Sequence, residues 1–368
     1  MALSAQNVGL CGFGGQSREF YGSARVYSGT PLVHSLPMTT PDLRAPDRAA
    51  FMARHQRRGA HAALPADASP RRYYRLEGTG ELLMEVTPDA PDFRAFVTIS
   101  NHLRALGLSA PEVLAADTAQ GYALIEDFGA NTFTRLLADG ADEQGLYELA
   151  VDALIALHTA PKAADIAVPA YDEAPLFEEL AMFTRWYVPH CAPGVAVEGF
   201  EARFLALWRA ALAPVSACRE TLVLRDYHVD NLMVLPTRLG PARCGLLDFQ
   251  DALLGSAAYD LVSLTQDARR DLAEGLEEHL LRRYLAHRPE VDEAGFRQAF
   301  WLLGAHRHTK ILGNFERLSK RDGKHSYLVH IPRVQRLCVQ ALEKAGLTEI
   351  SALMDAELPG WRHHRPRA

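Results

Sequence analysis

The stretch that decides the fold is LVLRDYHVDNLMVLP at residues 222–236, followed by GLLDFQDALLGSAAYDLVSL at residues 245–264. It places Asp226, Asn231 and Asp248 beside short apolar runs typical of strands, five and then seventeen residues apart. Carboxylate and amide oxygens suit Mg²⁺, which keeps the rest of its shell for phosphate and water. A nearby carboxylate can also accept the proton of an attacking hydroxyl group. The pattern therefore predicts phosphoryl transfer, with Asp226 as the base and Asn231 and Asp248 as metal ligands.

The structural alternative is that these are ordinary turn residues, because Asp and Asn are common in hairpin turns. The pair Tyr259-Asp260, which opens a helix after the second strand, favours the catalytic interpretation. Asp260 is interpreted as a capping or loop-bracing carboxylate. Within the catalytic loop, His228 is interpreted as a residue that shapes the loop, and Asp230 lies two positions after it. Both are also candidate substrate-binding residues.

The composition excludes several classes of protein. With 48% hydrophobic residues and a net charge of −6, the chain has the composition of a soluble globular protein and no overall attraction for nucleic acid or anionic lipid. It contains no apolar run near the ~18 residues that span a bilayer. Five scattered cysteines without a CxxC pair indicate neither a zinc site nor a disulfide framework. We expect a cytoplasmic monomer that acts on a small molecule, without nucleic-acid or membrane partners.

The chain divides into three segments. Residues 1–37 are rich in Gly and Ser without apolar periodicity, which predicts a disordered leader or a start assigned upstream of Met38. Residues 38–128 predict a small antiparallel sheet with helices, as a nucleotide-binding lobe. Residues 129–368 predict a mostly helical lobe that carries the catalytic loop and the acceptor site. The predicted fold class is α+β, with the two lobes of a protein-kinase-like fold.

Local patterns give the elements of the first lobe. Alternation on both sides of Gly78-Thr79-Gly80 predicts a hairpin over residues 71–88. A helical pattern follows over residues 92–106, and then two strands over residues 111–117 and 121–129.

The spacing of the catalytic residues resembles that of the aminoglycoside phosphotransferase and choline kinase superfamily, in which an HxDxxxxN loop precedes a D-F/W metal motif. Within it, the chain is similar to the anomeric kinases of N-acetylmuramate and N-acetylglucosamine, which act in peptidoglycan recycling. ASPRRYYRL at residues 68–76, LIEDFG at 124–129 and RHTKILGNFERLSKRDGKHSYLVHIPR at 307–333 carry this resemblance, which covers about residues 48–362. Arg225 departs from the wider pattern, because many members have Gly there.

The resemblance implies an ATP- and Mg²⁺-dependent kinase that acts on the anomeric hydroxyl of an amino sugar. Met84 occupies the place where the superfamily usually has a strand lysine that reaches the nucleotide phosphates. Another cation is then needed to neutralise phosphate, and the candidates, with Arg72 favoured, are Arg71, Arg72 and Arg75. Ser69 is expected to lie over the phosphates, and the backbone at Glu126 and Phe128 to pair with the adenine edge.

The acceptor site is less well defined by the sequence. Trp186 and Tyr187 are expected to line it by stacking on a sugar ring, with core packing as the alternative. Arg307, together with His306 and Lys310, is expected to bind a lactyl carboxylate or else to face solvent.

Two other functions stay open. An aminoglycoside, choline or homoserine could be the acceptor within the same fold, and acidic residues over 170–220 would suit a polycation. A pseudokinase binding module is the non-enzyme alternative, for which the missing strand lysine is the only argument.

Overall fold

The computed structural model describes residues 42–65 and 71–366. The predicted leader at residues 1–37 and the predicted site residue Ser69 therefore lie outside the described residues. Residues 48–368 form one compact unit, which holds all the elements below except the first turn of α1. The strands are β1 (His61–Ala63), β2 (Arg72–Leu76), β3 (Glu81–Glu85), β4 (Val113–Asp117), β5 (Tyr122–Glu126), β6 (Thr221–Val223), β7 (Leu232–Val234), β8 (Cys244–Leu246) and β9 (Leu253–Gly255).

The helices dominate the second half of the chain. They are α1 (Ala45–Arg54), α2 (Pro91–Ala105), α3 (Phe133–Ala138), α4 (Glu143–Thr159), α5 (Glu173–Met182), α6 (Val188–Cys191), α7 (Val197–Ser216), α8 (Ala258–Thr265), α9 (Leu276–Ala286), α10 (Glu293–Asp322), α11 (Ile331–Lys344) and α12 (Thr348–Glu357). None of the helices in the described ranges combines the length and the apolar character needed to cross a membrane.

The first lobe is an antiparallel sheet in the order β1-β2-β3-β5-β4. The predicted hairpin is formed by β2 and β3, and its turn contains Gly78 and Gly80, both with positive φ. Successive side chains of a strand point to opposite faces, so Leu83 packs with Phe51 of α1 while Met84 packs with the core that includes α2. The hairpin, the α2 helix and the two strands that follow it are thus confirmed, and β1 was not predicted.

The second lobe is built around α10, which packs against α5, α8 and α11. A single apolar cluster joins these helices to α4 and α7 and continues under the sheet of the first lobe. The predicted two-lobe α+β architecture is confirmed.

Two short antiparallel ribbons carry the catalytic stretch. β6 pairs with β9, and β7 pairs with β8 so that Leu232 faces Leu246. This cross-pairing brings the end of β6, where Asp226 follows, close to the end of β8, where Asp248 follows. The Ser109 carbonyl accepts the Leu246 N–H at 2.7 Å, which ties the β7–β8 ribbon to the first lobe.

A close helix contact sets the position of α10. After α5 the chain continues as a π-helical turn over Phe183–Tyr187. Gly313 of α10 lies against this transition, and a Cβ atom there would be 2.3 Å from the Met182 carbonyl. No side chain fits at that distance, so glycine is required for the two helices to approach.

We expect Gly313→Ala to lower the free energy of unfolding by about 1–3 kcal/mol, because overpacking forces backbone to move. Gly199→Ala is the matched control, since the nearest atom to a Cβ at Gly199 is an Arg203 nitrogen at 3.9 Å. That control should be neutral or stabilising by about 0.4–1 kcal/mol. Urea denaturation of both variants measures the difference, and equal stabilities would contradict the close contact.

Candidate active site

The catalytic loop begins with an uncommon backbone conformation. Arg225 has φ of +70°, which costs a side chain other than glycine about 1–2 kcal/mol. The buried carboxylate of Asp260, at the start of α8, accepts the N–H groups of Leu224 at 2.6 Å and Arg225 at 2.8 Å. The loop-bracing role predicted for Asp260 agrees with this geometry.

A second brace acts on the carbonyl side of Arg225. This carbonyl oxygen accepts hydrogen bonds from Ser263 Oγ at 3.1 Å and from Arg307 Nη1 at 2.9 Å. Arg307 also donates to the Tyr259 hydroxyl at 3.1 Å, and its side chain is only 6% exposed. The structure therefore places Arg307 under the catalytic loop, bonded to its backbone, and not at the surface.

A third brace holds the side chain of Arg225. Its guanidinium group donates to Glu179 of α5, and the same carboxylate accepts from Lys310 Nζ at 2.7 Å and from the Tyr171 hydroxyl at 2.6 Å. Burial would raise the pKa of Glu179, but the charges of Lys310 and Arg225 outweigh burial and hold this pKa well below its usual range. Glu179 is therefore a buried anion that joins α5 and α10 to the catalytic loop.

Asp226 is left open to a substrate by these braces. Its side chain is 45% exposed, with Arg307 Nη2 3.8 Å from one carboxylate oxygen. Desolvation raises the pKa of Asp226, and the positive charges of Lys310 and Arg307 more than offset this, so the pKa lies below its usual value. The carboxylate is thus ionised at neutral pH and able to accept a proton.

Asn231 and Asp248 meet at the bottom of a cleft of about 370 Å³ between the lobes. Asn231 Nδ2 donates to the Asp226 carbonyl at 2.9 Å, so its amide oxygen is not used in that bond. Asp248 has φ of +56° and a half-exposed carboxylate that accepts from Gln250 Nε2 at 2.9 Å. An amide oxygen beside a carboxylate fits Mg²⁺, with phosphate and water as the other ligands. The described residues contain no group of three or more His, Cys, Asp or Glu that would suit a different metal site.

Arg71 is the arginine closest to this pair of residues. Its buried guanidinium donates to Gln250 at 2.7 Å and to Asp92 at 2.9 Å, and lies 3.8 Å from Asp248. Arg75 also lines the cleft but is paired with Asp127. The favoured candidate, Arg72, is exposed and does not line the cleft. The expectation for Arg72 is therefore not met, because strand alternation turns it to the opposite face.

Apolar side chains form the walls of the cleft away from the carboxylates. They come from both lobes and include Leu82, Phe96, Ile125 and Met233. Met84 is fully buried behind this wall and does not line the cleft. The side chain at this strand position therefore contributes packing and no charge.

The segment that joins the lobes borders the same cleft. Both Glu126 and Phe128 line it, and Glu126 forms ion pairs with Arg238 and Arg104. The Glu126 N–H is already bonded to the Glu112 carbonyl at 2.9 Å. A Cβ at Gly245 would lie 2.9 Å from the Phe128 ring, so glycine is needed for the ring to sit on β8.

The remaining predicted residues divide between the loop and the core. His228 is buried beside the catalytic loop, and Asp230 accepts a hydrogen bond from Thr134. Tyr187 is fully buried, with its hydroxyl bonded to the Trp361 carbonyl and to Gln335. It therefore packs in the core and does not line an acceptor pocket. Trp186 is half-buried on the same π-helical turn. His306 is buried and bonded to the Leu176 carbonyl.

Comparisons with known proteins agree with this geometry. The sequence model of the phosphotransferase enzyme family matches residues 61–294. A Caulobacter vibrioides protein named N-acetylmuramate/N-acetylglucosamine kinase is 41% identical over 276 residues, 72% of this chain and 75% of that protein. A Pseudomonas aeruginosa protein of the same name is 37% identical over 310 residues, 80% of this chain and 87% of that protein.

A solved structure shows the same fold. The ternary complex of streptomycin, ATP and APH(2'')-IIa has a TM-score of 0.53 and 14% sequence identity, and the match covers 79% of this chain and 97% of that chain. The chain belongs to the phosphotransferase enzyme family. It is a kinase, and the resemblance found in its sequence is confirmed.

The position of Arg71 leads to a paired test. We expect Arg71→Met to raise the KM for the nucleotide donor about tenfold or more, because one hydrogen bond to a charged group is worth about 1.5–3 kcal/mol. Arg72→Met removes the same charge from the exposed face of β2 and should change that KM less than about twofold. Steady-state kinetics at saturating acceptor measures both KM values. Equal effects of the two substitutions on the KM for the nucleotide donor would contradict a role of Arg71 in binding it.

Proposed function

We propose that this protein is an ATP-dependent kinase that phosphorylates the anomeric C1 hydroxyl of N-acetylmuramate and N-acetylglucosamine in peptidoglycan recycling. The observation that carries the proposal is the 41% identity to a kinase named for both sugars, together with the half-exposed carboxylate of Asp226, whose backbone carbonyl is bonded to Asn231 of the cleft. The cytoplasm is the proposed location, in agreement with free cysteines at the positions Cys191, Cys218, Cys244 and Cys338.

Asp226 is proposed to accept the proton of the attacking hydroxyl. Phosphoryl transfer needs little covalent chemistry from the protein, so positioning and charge stabilisation account for most of the rate. The braces on Arg225 provide that positioning, because they leave the Asp226 carboxylate at the end of a loop whose backbone is bonded on both sides. Lys310 and Arg307 keep the carboxylate ionised and so competent as a base.

Asn231 and Asp248 are the proposed ligands of Mg²⁺, which when bound neutralises charge on the donor phosphates. Arg71 is proposed to act in place of the usual strand lysine, because it is buried at the Asp248 end of the cleft. The apolar wall near Leu82 and Ile125 suits the faces of an adenine ring. We propose that backbone groups of Glu126 and Phe128 bind its polar edge.

The charges near Asp226 argue against an aminoglycoside acceptor. A polycation needs an acidic pocket, whereas Lys310 and Arg307 make the surroundings of Asp226 positive. Three acids of the 170–220 region are paired with cations: Glu173 with Arg209, Glu178 with Arg185 and Glu179 with Lys310. The pseudokinase alternative is weakened by Asn231 and Asp248, which both line the cleft, and by Asp226, whose carbonyl accepts a hydrogen bond from Asn231.

The test is to incubate the purified protein with ATP and Mg²⁺ and each of four acceptors: N-acetylmuramate, N-acetylglucosamine, kanamycin and choline. We expect turnover of both amino sugars, and phosphorus–proton coupling in NMR spectra of the products should place the phosphate on C1. Asp226→Asn should lower kcat by about 10²–10⁴, the usual contribution of a general base.

Each part of the proposal can fail separately in this assay. Turnover of kanamycin alone would overturn the acceptor, and coupling to any proton other than the anomeric one would overturn the site of transfer. Full activity of Asp226→Asn would overturn the assignment of the base.

A further inference from the structure

A second group of polar residues adjoins the catalytic loop, and most of its members do not line the nucleotide cleft. It comprises His228 and Asp230 of the loop, Asp267 and Arg269 from the segment after α8, and His330 from the turn before α11; we call it the Arg269 cluster. None of these residues except Asp230 lines the nucleotide cleft. The His228 N–H donates to the Asp226 carbonyl at 3.2 Å, so the cluster adjoins the proposed base.

Two side chains of the Arg269 cluster have buried atoms that lack a protein partner. His228 is 7% exposed and its Nδ1 has no hydrogen bond among the described residues. Asp267 is 3% exposed, and while its Oδ1 accepts the Arg269 N–H at 2.9 Å, its Oδ2 has no partner in the described ranges. Buried polar atoms are nearly always hydrogen-bonded, so two such atoms beside the base indicate the place of a polar ligand.

An imidazole nitrogen and an aspartate oxygen are suitable partners for sugar hydroxyl groups. Such hydroxyls are present on both amino sugars of the proposed function. His228 and Asp267 therefore account for the binding of a sugar, but they do not distinguish N-acetylmuramate from N-acetylglucosamine.

Arg269 has the donors for a further contact. Its guanidinium lies 3.5 Å from Asp230 and 3.8 Å from Asp267, both longer than the usual 2.7–2.9 Å of a charged hydrogen bond. The side chain is 32% exposed and packs over the Tyr327 ring at 5.9 Å. Its planar fork of N–H groups is thus held in place by its neighbours, yet is not saturated by them.

The other cations near Asp226 are already engaged. Arg307 is bonded to the loop carbonyl and to Tyr259, and Lys310 is bonded to Glu179. Arg333 is bonded to Asp271 at 2.7 Å. The contacts of the Arg269 guanidinium with Asp230 and Asp267, at 3.5 and 3.8 Å, are longer than these hydrogen bonds of Arg307, Lys310 and Arg333.

We propose that Arg269 binds the carboxylate of an acidic sugar acceptor, the lactyl carboxylate of N-acetylmuramate, while His228 and Asp267 bind hydroxyls that both acceptors share. This inference rests on the proposed function and names the residue that separates its two substrates. N-acetylglucosamine has no carboxylate and forms no contact with the Arg269 guanidinium that removal of the charge would break.

The experiment compares Arg269→Gln with the wild-type protein on both sugars. We expect kcat/KM for N-acetylmuramate to fall about 10- to 100-fold, the range for loss of a charge-assisted hydrogen bond. kcat/KM for N-acetylglucosamine should stay within about threefold of wild type, which also shows that the variant is folded. On the methyl ester of N-acetylmuramate, which lacks the negative charge, the variant and the wild type should differ by less than about threefold.

Arg270→Gln is the matched control, because it removes the same charge one residue away, where Arg270 is paired with Glu143 at 2.7 Å. It should not change the ratio of the two kcat/KM values. An equal loss on both sugars in Arg269→Gln, or an unchanged ratio, would overturn this inference alone. Wild-type protein that phosphorylates neither sugar would instead overturn the proposed function. If Arg269→Gln does not fold, Arg269→Lys provides the same comparison, with a smaller loss expected on N-acetylmuramate only.

Discussion

The left-handed backbone at Arg225 is the constraint on which the rest of the active site depends. Glycine would adopt this conformation freely, whereas arginine is stable there only because its surroundings hold it. Asp260 binds the N–H side of the turn, Arg307 and Ser263 bind its carbonyl, and Glu179 binds its side chain. Three helices, α5, α8 and α10, therefore meet at the residue before Asp226. The backbone just before Asp226 is therefore bonded to three separate parts of the helical lobe.

The same braces also determine the electrostatics. Lys310 and Arg307 are fixed by the buried network, and they keep the Asp226 carboxylate charged although the surrounding protein would favour the neutral acid. In the first lobe, the positive charge beside Asp248 comes from Arg71, just before β2, while the third strand contributes the buried Met84. On both sides of the cleft, contacts between residues far apart in the sequence thus hold the charged side chains in place. Met84 of β3 contributes packing and no charge.

Much of this arrangement could be predicted from local sequence. The spacing of Asp226, Asn231 and Asp248 and the alternation of the first hairpin are short-range signals, and both gave the correct fold. Strand parity could also have identified the arginines that line the cleft, because residues 71, 73 and 75 share the face that lines it while Arg72 points away. Glu179 carries no such signal: it lies 46 residues before Arg225, on a helix whose acids resemble solvent-exposed ones. Only the packing of α5 against α10 shows that this carboxylate is buried.

The most direct test of the account is a double-mutant cycle on kcat with Asp226→Asn and Asp260→Asn. Asparagine at 260 has one acceptor oxygen for two N–H donors, so the turn at Arg225 loses a bond and kcat should fall about tenfold or more. If Asp260 acts only by positioning Asp226, Asp260→Asn should have little further effect on a protein that already lacks the base. Single-turnover measurements with radiolabelled ATP give the small rates that are needed. Losses that multiply in the double variant would contradict the claim that these braces act through Asp226.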